Sequence, residues 1–103
     1  MNKISLKEMS CDVITKRVRR NINSDEKITD IIEKIKNGAE MGMGRIHLFE
    51  SFCPSRPIYN EVLNDTILPI KEMLQSRADE HFTDCVVEVH WYSNQITFVA
   101  KWV

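Results

Sequence analysis

Residues 85–103 constrain the fold of this chain more than any other segment. Two runs of residues there carry apolar side chains at every second position, which is the repeat of a β-strand. Ser93-Asn94 separates the two runs. A two-residue turn at this point pairs Tyr92 with Gln95 and closes a β-hairpin. In this register every pair on one face is apolar, namely Trp91–Ile96, Val89–Phe98, Val87–Ala100 and Cys85–Trp102. A shift of one residue would bring polar side chains into these positions, so the register is well specified.

Two helical patterns occupy the N-terminal part of the chain. Ser5 is followed by Glu8, a pair that is typical of a capping box at a helix start. A second helix is expected after Asn23, which can cap it, and isoleucines recur at helical spacing over residues 28–35. The pattern leaves open whether these helices form one bent rod or two pieces.

A short strand and a third helix connect this part to the hairpin. Residues 45–50 alternate as a strand, and a helix is expected from Ser55 or Arg56 onward. Pro69 lies inside the helical pattern and is expected to kink or divide it. The sequence therefore predicts an α+β fold of order ααβαββ, in which a three-stranded sheet with a C-terminal β-hairpin packs against helices. If the third strand lies between the other two, all neighbouring strands are antiparallel.

Helices are expected to cover one face of this sheet and to leave the other face for a partner. Alternation over residues 45–50 places Phe49 on this second face, and the hairpin adds Tyr92 and Val99. The full set is too apolar for contact with water, and it comprises His47, Phe49, Val86, His90, Tyr92, Val99 and Val103. We therefore expect the N-terminal helix or a second copy of the chain to cover this face, and we favour a homodimer.

Size, charge and cysteine count limit the class of protein. A length of 103 residues fits a single domain over residues 1–103, and it stays open whether the N-terminal helix, residues 1–22, is semi-independent. A formal net charge of −1 excludes a protein that coats DNA through its overall charge. Three widely spaced cysteines favour reduced thiols. We expect a cytoplasmic protein with no signal segment and no membrane association.

A basic cluster at residues 16–20 is the first candidate binding site. Lys16, Arg17, Arg19 and Arg20 put four cations into five positions. Such a cluster is typical of a solvated helix end, where cations suit the helix dipole. It also suits contacts to phosphate groups or to an acidic partner surface. No aromatic residue lies between these cations, so the sequence gives no indication of base stacking.

The segment from Glu50 to Arg56 is the second candidate. It joins the end of a strand to the start of a helix, where free backbone N–H groups favour an anion. Ser55 and Arg56 add side-chain donors, whereas Arg45 lies at the other end of the strand. The alternative is an ordinary capped connection without a ligand.

Motifs for catalysis, cofactors and metals are missing from the sequence. No Walker A pattern, Cys-x-x-Cys pair or His-Glu-x-x-His motif occurs, and Gly42 and Gly44 lack the context of a dinucleotide site. We therefore expect no cofactor, no metal and no catalytic residue. A small enzyme that uses the loop around Cys53 and Arg56 is the weakest alternative.

Residues 24–103 resemble small accessory proteins of tailed bacteriophages. The shared features are an isoleucine-rich helix, a glycine-rich stretch from Asn37-Gly38 to Gly44, the strand Ile46–Phe49, a helix, and a final hairpin that ends in Ala100-Lys101-Trp102. The resemblance is one of architecture and carries over no site residue. It implies a cytosolic protein of an infected cell that binds and disables a host component.

The sequence thus predicts a small non-enzymatic binding protein. It is expected to inhibit a host defence protein or to sequester a small anionic ligand. The alternative is a nucleic-acid-binding accessory protein that uses the basic residues 16–20.

Overall fold

The computed structural model of the protein describes residues 3–103 and has the predicted α+β fold, of order ααβαββ. Its helices are α1 (Leu6–Arg19), α2 (Asp25–Glu40), α3 (Arg56–Val62) and α4 (Leu68–His81), and a π-helical segment (Leu63–Ile67) joins α3 to α4. Its strands are β1 (Arg45–Phe52), β2 (Val86–Tyr92) and β3 (Gln95–Lys101). Over residues 3–103, no helix is long and apolar enough to span a membrane.

The hairpin has the predicted register. Three of the expected apolar pairs face each other, and these are Val87–Ala100, Val89–Phe98 and Trp91–Ile96. The ladder ends at the pair Val86–Lys101, one step before the predicted pair of Cys85 and Trp102. Ser93 and Asn94 have φ values of 50° and 63°, as the two central residues of a type I′ turn require. Strand β3 lies between β1 and β2, so all neighbouring strands are antiparallel.

Side-chain caps fix where the helices begin. The Ser5 hydroxyl accepts a hydrogen bond from the Glu8 N–H at 3.2 Å, as the capping box predicts. The second helix begins one residue later than expected, because Ser24, and not Asn23, accepts from Lys27 N–H at 3.2 Å. The two helices are separate pieces, and α2 runs through Gly38 to Glu40.

The third helical unit is divided in the turn before Pro69. Proline lacks an N–H, so the backbone bond of a regular helix cannot form there. The chain instead widens into the π-helical segment, in which Leu68 N–H donates to the carbonyl of Leu63.

A β-bulge in β1 changes which side chains share a face of the sheet. His47 pairs with Val99, Phe49 pairs with Phe98, and Leu48 between them has no partner on β3. The prediction that Phe49 shares a face with His47 is therefore wrong. The ring of Phe49 stacks on Phe98 with centroids 4.5 Å apart, on the face that carries the core.

The open face of the sheet is consequently more polar than the sequence suggested. After the bulge, Glu50 takes the position predicted for Phe49, in a row with Thr97 and His90. Val99 lies on this face but is only 1% exposed. Of the three predicted partner contacts, only Tyr92 is well exposed. The exposed apolar side chains of this face lie at the two ends of the sheet, with Phe52 and Tyr92 at one end and Val86 at the other.

One apolar core joins helices and sheet. Its largest fully buried side chains come from α1, the π-helical segment, α4 and both strands of the hairpin. They include Val18, Ile67, Leu74, Val87, Ile96 and Phe98. Ile14 and Val18 anchor α1 in this core.

Side chains cover the outer edges of the sheet. The Gln75 side chain of α4 accepts from Val87 N–H and donates to the Cys85 carbonyl, both at 2.8 Å. Its amide therefore pairs with β2 as a fourth strand would, which protects the edge from other chains. On the other edge, Lys34 donates to the carbonyl of Leu48 at 3.3 Å.

Replacing Gln75 with leucine should lower the free energy of unfolding by about 2 kcal/mol, because two backbone groups of the edge lose their partner. Urea unfolding followed by circular dichroism measures this loss. The control is Asp79→Ala, which removes only the exposed 2.9 Å bond from Gln75 to Asp79 and should change stability by less than about 0.5 kcal/mol. Equal effects of the two substitutions would contradict the edge-pairing role.

Candidate functional site

An open groove lies between α1 and the start of α3. It encloses about 390 Å³. Most of its lining is aliphatic, and the residues are Leu6, Met9, Ser10, Val13, Ile14, Arg17, Pro54, Ser55 and Ile58. We call it the α1 groove.

Helix α1 presents two adjacent stripes of apolar side chains. The first stripe, Ile14 and Val18, is buried in the core. The second stripe runs along the α1 groove, where Leu6, Met9 and Val13 are 76%, 52% and 47% exposed. A helix on the surface of a small domain can bury only one of two such stripes. The second stripe therefore leaves a continuous apolar surface in contact with water.

The opposite wall of the groove is a rigid loop. Cys53 N–H donates to the Asn94 carbonyl and the Trp91 indole donates to the Cys53 carbonyl, both at 2.8 Å. These bonds tie the loop to the hairpin. The Ser55 hydroxyl then accepts from Ile58 N–H at 3.4 Å and caps α3. The wall formed by Pro54 and Ile58 is thus fixed before any partner binds.

Two arginines stack on aromatic rings at the ends of this loop. The Arg17 guanidinium lies 5.6 Å from the centre of the Phe52 ring and donates to the Phe52 carbonyl at 3.3 Å. The Arg56 guanidinium lies 5.4 Å from the Trp91 ring. Cation–π contact and the hydrogen bond hold Arg17 at one end of the groove, and most of its five N–H donors remain free.

The structure separates the four cations of the basic cluster. Arg17 turns toward the loop, whereas Lys16, Arg19 and Arg20 are exposed at the end of α1. Within residues 3–103, none of the four has a carboxylate within 4.0 Å. Their positive charge is available to a partner at this end of the groove.

The structure places Arg45 away from the loop that holds the predicted anion site. Arg45 pairs in register with Lys101, at the end of the sheet opposite to Phe52 and the loop. The Ser55 hydroxyl already caps α3, and the Arg56 side chain lies over Trp91. The three residues therefore do not converge on one ligand.

The apolar stripe is the part of the site that sequence reasoning missed. The helical pattern of the sequence predicts that Leu6, Met9 and Val13 lie on one side of the helix together with Ile14 and Val18. On a helical wheel these five residues span about 180°, well beyond the stripe of roughly 100° that faces one core. That width is the signal that could have revealed an exposed apolar surface.

Residues 3–103 show no metal centre, and two of the three cysteine thiols are buried. Over residues 3–103, no group of three His, Cys, Asp or Glu side chains is arranged to hold a metal ion. Cys53 is fully buried, and its thiol donates to the Ser55 carbonyl at 3.5 Å. Burial, followed by the nearby charges of Asp84 and Asp79, raises the pKa of the Cys85 thiol.

Comparison with protein-family models, with curated proteins and with solved structures finds no match to this chain.

Iodoacetamide should alkylate Cys11 first in the folded protein, because Cys11 is half-buried whereas Cys53 and Cys85 are buried. A raised pKa means that less Cys85 thiolate is present at pH 8, so its reaction should also need a higher pH. Peptide mass spectrometry over time measures the three rates, and a urea-unfolded sample is the control. Fastest alkylation at Cys53 in the folded protein would instead favour an enzyme that uses this thiol.

Proposed function

We propose that this protein is a non-enzymatic binding protein that holds an apolar segment of a partner protein in the α1 groove. The observation that carries the proposal is the exposed stripe of Leu6, Met9 and Val13 along a groove of about 390 Å³. Single exposed apolar side chains are common on soluble proteins, but a contiguous patch marks an interaction site.

The rigidity of the groove supports the same function. One wall is a helix that Ile14 and Val18 anchor in the core, and the other is a loop that Cys53 ties to the hairpin. A preformed site loses little conformational entropy when a partner binds, so more of the contact energy appears as affinity.

The resemblance of residues 24–103 to phage accessory proteins favours a host protein as the partner. Occupying the α1 groove with a segment of that protein would keep the segment from its normal contacts. The consequence would be inhibition of a host component, such as a defence protein, in the host cytoplasm.

A photo-crosslinking residue, benzoylphenylalanine, placed at Val13 should form a covalent adduct with a protein in bacterial cells. Val13 lines the groove, so a bound segment lies within reach of the probe. Mass spectrometry of the purified adduct identifies the partner and its contact segment. The matched control places the same probe at Glu33, an exposed position of α2, where the adduct should be absent.

Adding Met9→Lys to the Val13 probe should remove the adduct, because a charge in the apolar stripe opposes burial. An adduct that persists in this double variant, or that forms equally from Glu33, would contradict the proposal. A Val13 probe that crosslinks only to a second copy of the chain would contradict a host partner.

Nucleic-acid binding is a second candidate, and one observation favours it. Phe52 and Tyr92 are 48% and 79% exposed, and they flank Gln95 in the last row of the open sheet face. Arg17 lies over Phe52, so an exposed aromatic pair adjoins the basic cluster, which the sequence alone did not indicate. Bases stack on such rings, and nearby cations contact phosphates.

This candidate predicts that a fluorescent single-stranded oligonucleotide of about 15 nucleotides binds, and that Tyr92→Leu weakens binding about tenfold. Affinity should also fall steeply between about 50 and 200 mM salt. Fluorescence anisotropy measures both effects, and Val86→Leu on the same face is the control. An affinity that Tyr92→Leu leaves unchanged would remove this candidate.

A further inference from the structure

Resting on the proposed function, we infer that the segment held in the α1 groove is an amphipathic helix whose carboxylate pairs with Arg17. The inference specifies the conformation and the charge of the partner segment. Three observations carry it, namely the polar groups of the groove, its length and its charge.

The groove offers almost no partners for a peptide backbone. Its lining is aliphatic except for two hydroxyl groups and Arg17, and the Ser55 hydroxyl already caps α3. The N–H and C=O groups of α1 bond within the helix, and Pro54 has no N–H. An extended segment would lose water from its backbone without replacement, whereas a helix satisfies its own backbone groups.

The dimensions of the groove suit a helix of about three turns. Its apolar edge runs from Leu6 to Arg17 of α1, which is about 16 Å at about 1.5 Å per residue. Side chains of α1 line it at intervals of three or four residues, the spacing that packs against the ridges of another helix. Apolar anchors at positions i, i+3 or i+4 and i+7 of a partner would fill it.

Charge selects an acidic residue at one end of that partner. Among residues 3–103, Arg17 is the one charged side chain that lines the groove, and one of its five donors is engaged, with the Phe52 carbonyl. Lys16, Arg19 and Arg20 add positive charge beyond this end. A carboxylate here forms charge-assisted hydrogen bonds, while a basic residue would be repelled.

The same charge argues against a second copy of the chain as the occupant. In a two-fold dimer the same patch faces itself, so residues of one groove meet residues of the other. The part of the lining that residues 3–103 form contains a cation and no carboxylate, so this contact would leave each Arg17 without an opposite charge.

Selection from a random peptide library by mRNA display tests the inference on the whole protein. Peptides that bind the unaltered chain but not the Met9→Lys variant are those that need the groove. We expect the enriched sequences to carry apolar residues at helical spacing and an Asp or Glu at one fixed position. Replacing that acid with Asn or Gln should weaken binding about tenfold in fluorescence anisotropy.

Reversing the charge at Arg17 in the α1 groove gives a sharper comparison. Selection on Arg17→Glu should enrich Lys or Arg at the position where the unaltered chain selects an acid. Arg19→Glu makes the same charge change on an exposed side of α1 and should leave the acidic preference intact.

The outcomes separate the inference from the function on which it rests. The inference would be overturned if the groove-dependent peptides showed no acidic preference or carried apolar residues at every second position. Either result would leave the proposed binding of a partner protein in place. A library that yields no groove-dependent peptide, together with no adduct at Val13, would overturn both. A dimer that Met9→Lys disrupts would show that a second copy is the occupant and would also overturn the inference.

Discussion

The bulge at Leu48 determines which side chains of β1 lie on the open face of the sheet. Before it, Ile46 shares the core face with Ala100, and after it Phe49 and Ser51 share that face with Phe98 and Ile96. One unpaired residue thus reverses the alternation of β1 and sends Glu50 to the open face. The middle of the open face therefore carries Glu50, Thr97 and His90. A row of exposed apolar side chains lies on α1 and is formed by Leu6, Met9 and Val13.

The second stripe of α1 is exposed because a short chain can bury only a limited amount of apolar surface. Ile14 and Val18 fill the space above the sheet, and the side chains of the second stripe have no further layer to cover them. Arg17 closes this stripe at one end, where stacking on Phe52 and a bond to the loop hold it. The result is a groove with apolar walls, a fixed cation and a preformed shape.

Local patterns of the sequence predicted the elements of the fold because each depends on neighbouring residues. The alternation of residues 86–101 specified the hairpin register, and the Ser5–Glu8 pair marked the first helix start. The bulge escaped prediction because β1 alternates without a break in the sequence, and only the register against β3 places the extra residue. The α1 groove escaped for a similar reason. Which apolar stripe is buried depends on the contacts of α1 with α3 and β1, which no local pattern specifies.

Exposure of the second stripe of α1 in the free protein is the central claim, and solvent paramagnetic relaxation in NMR measures it directly. A soluble gadolinium chelate should broaden the methyl signals of Met9 and Val13 strongly while those of Ile14 and Val18 stay sharp, at every protein concentration. Protection of Met9 and Val13 equal to that of Ile14 would contradict the account, because it would mean that the free protein already covers its own groove.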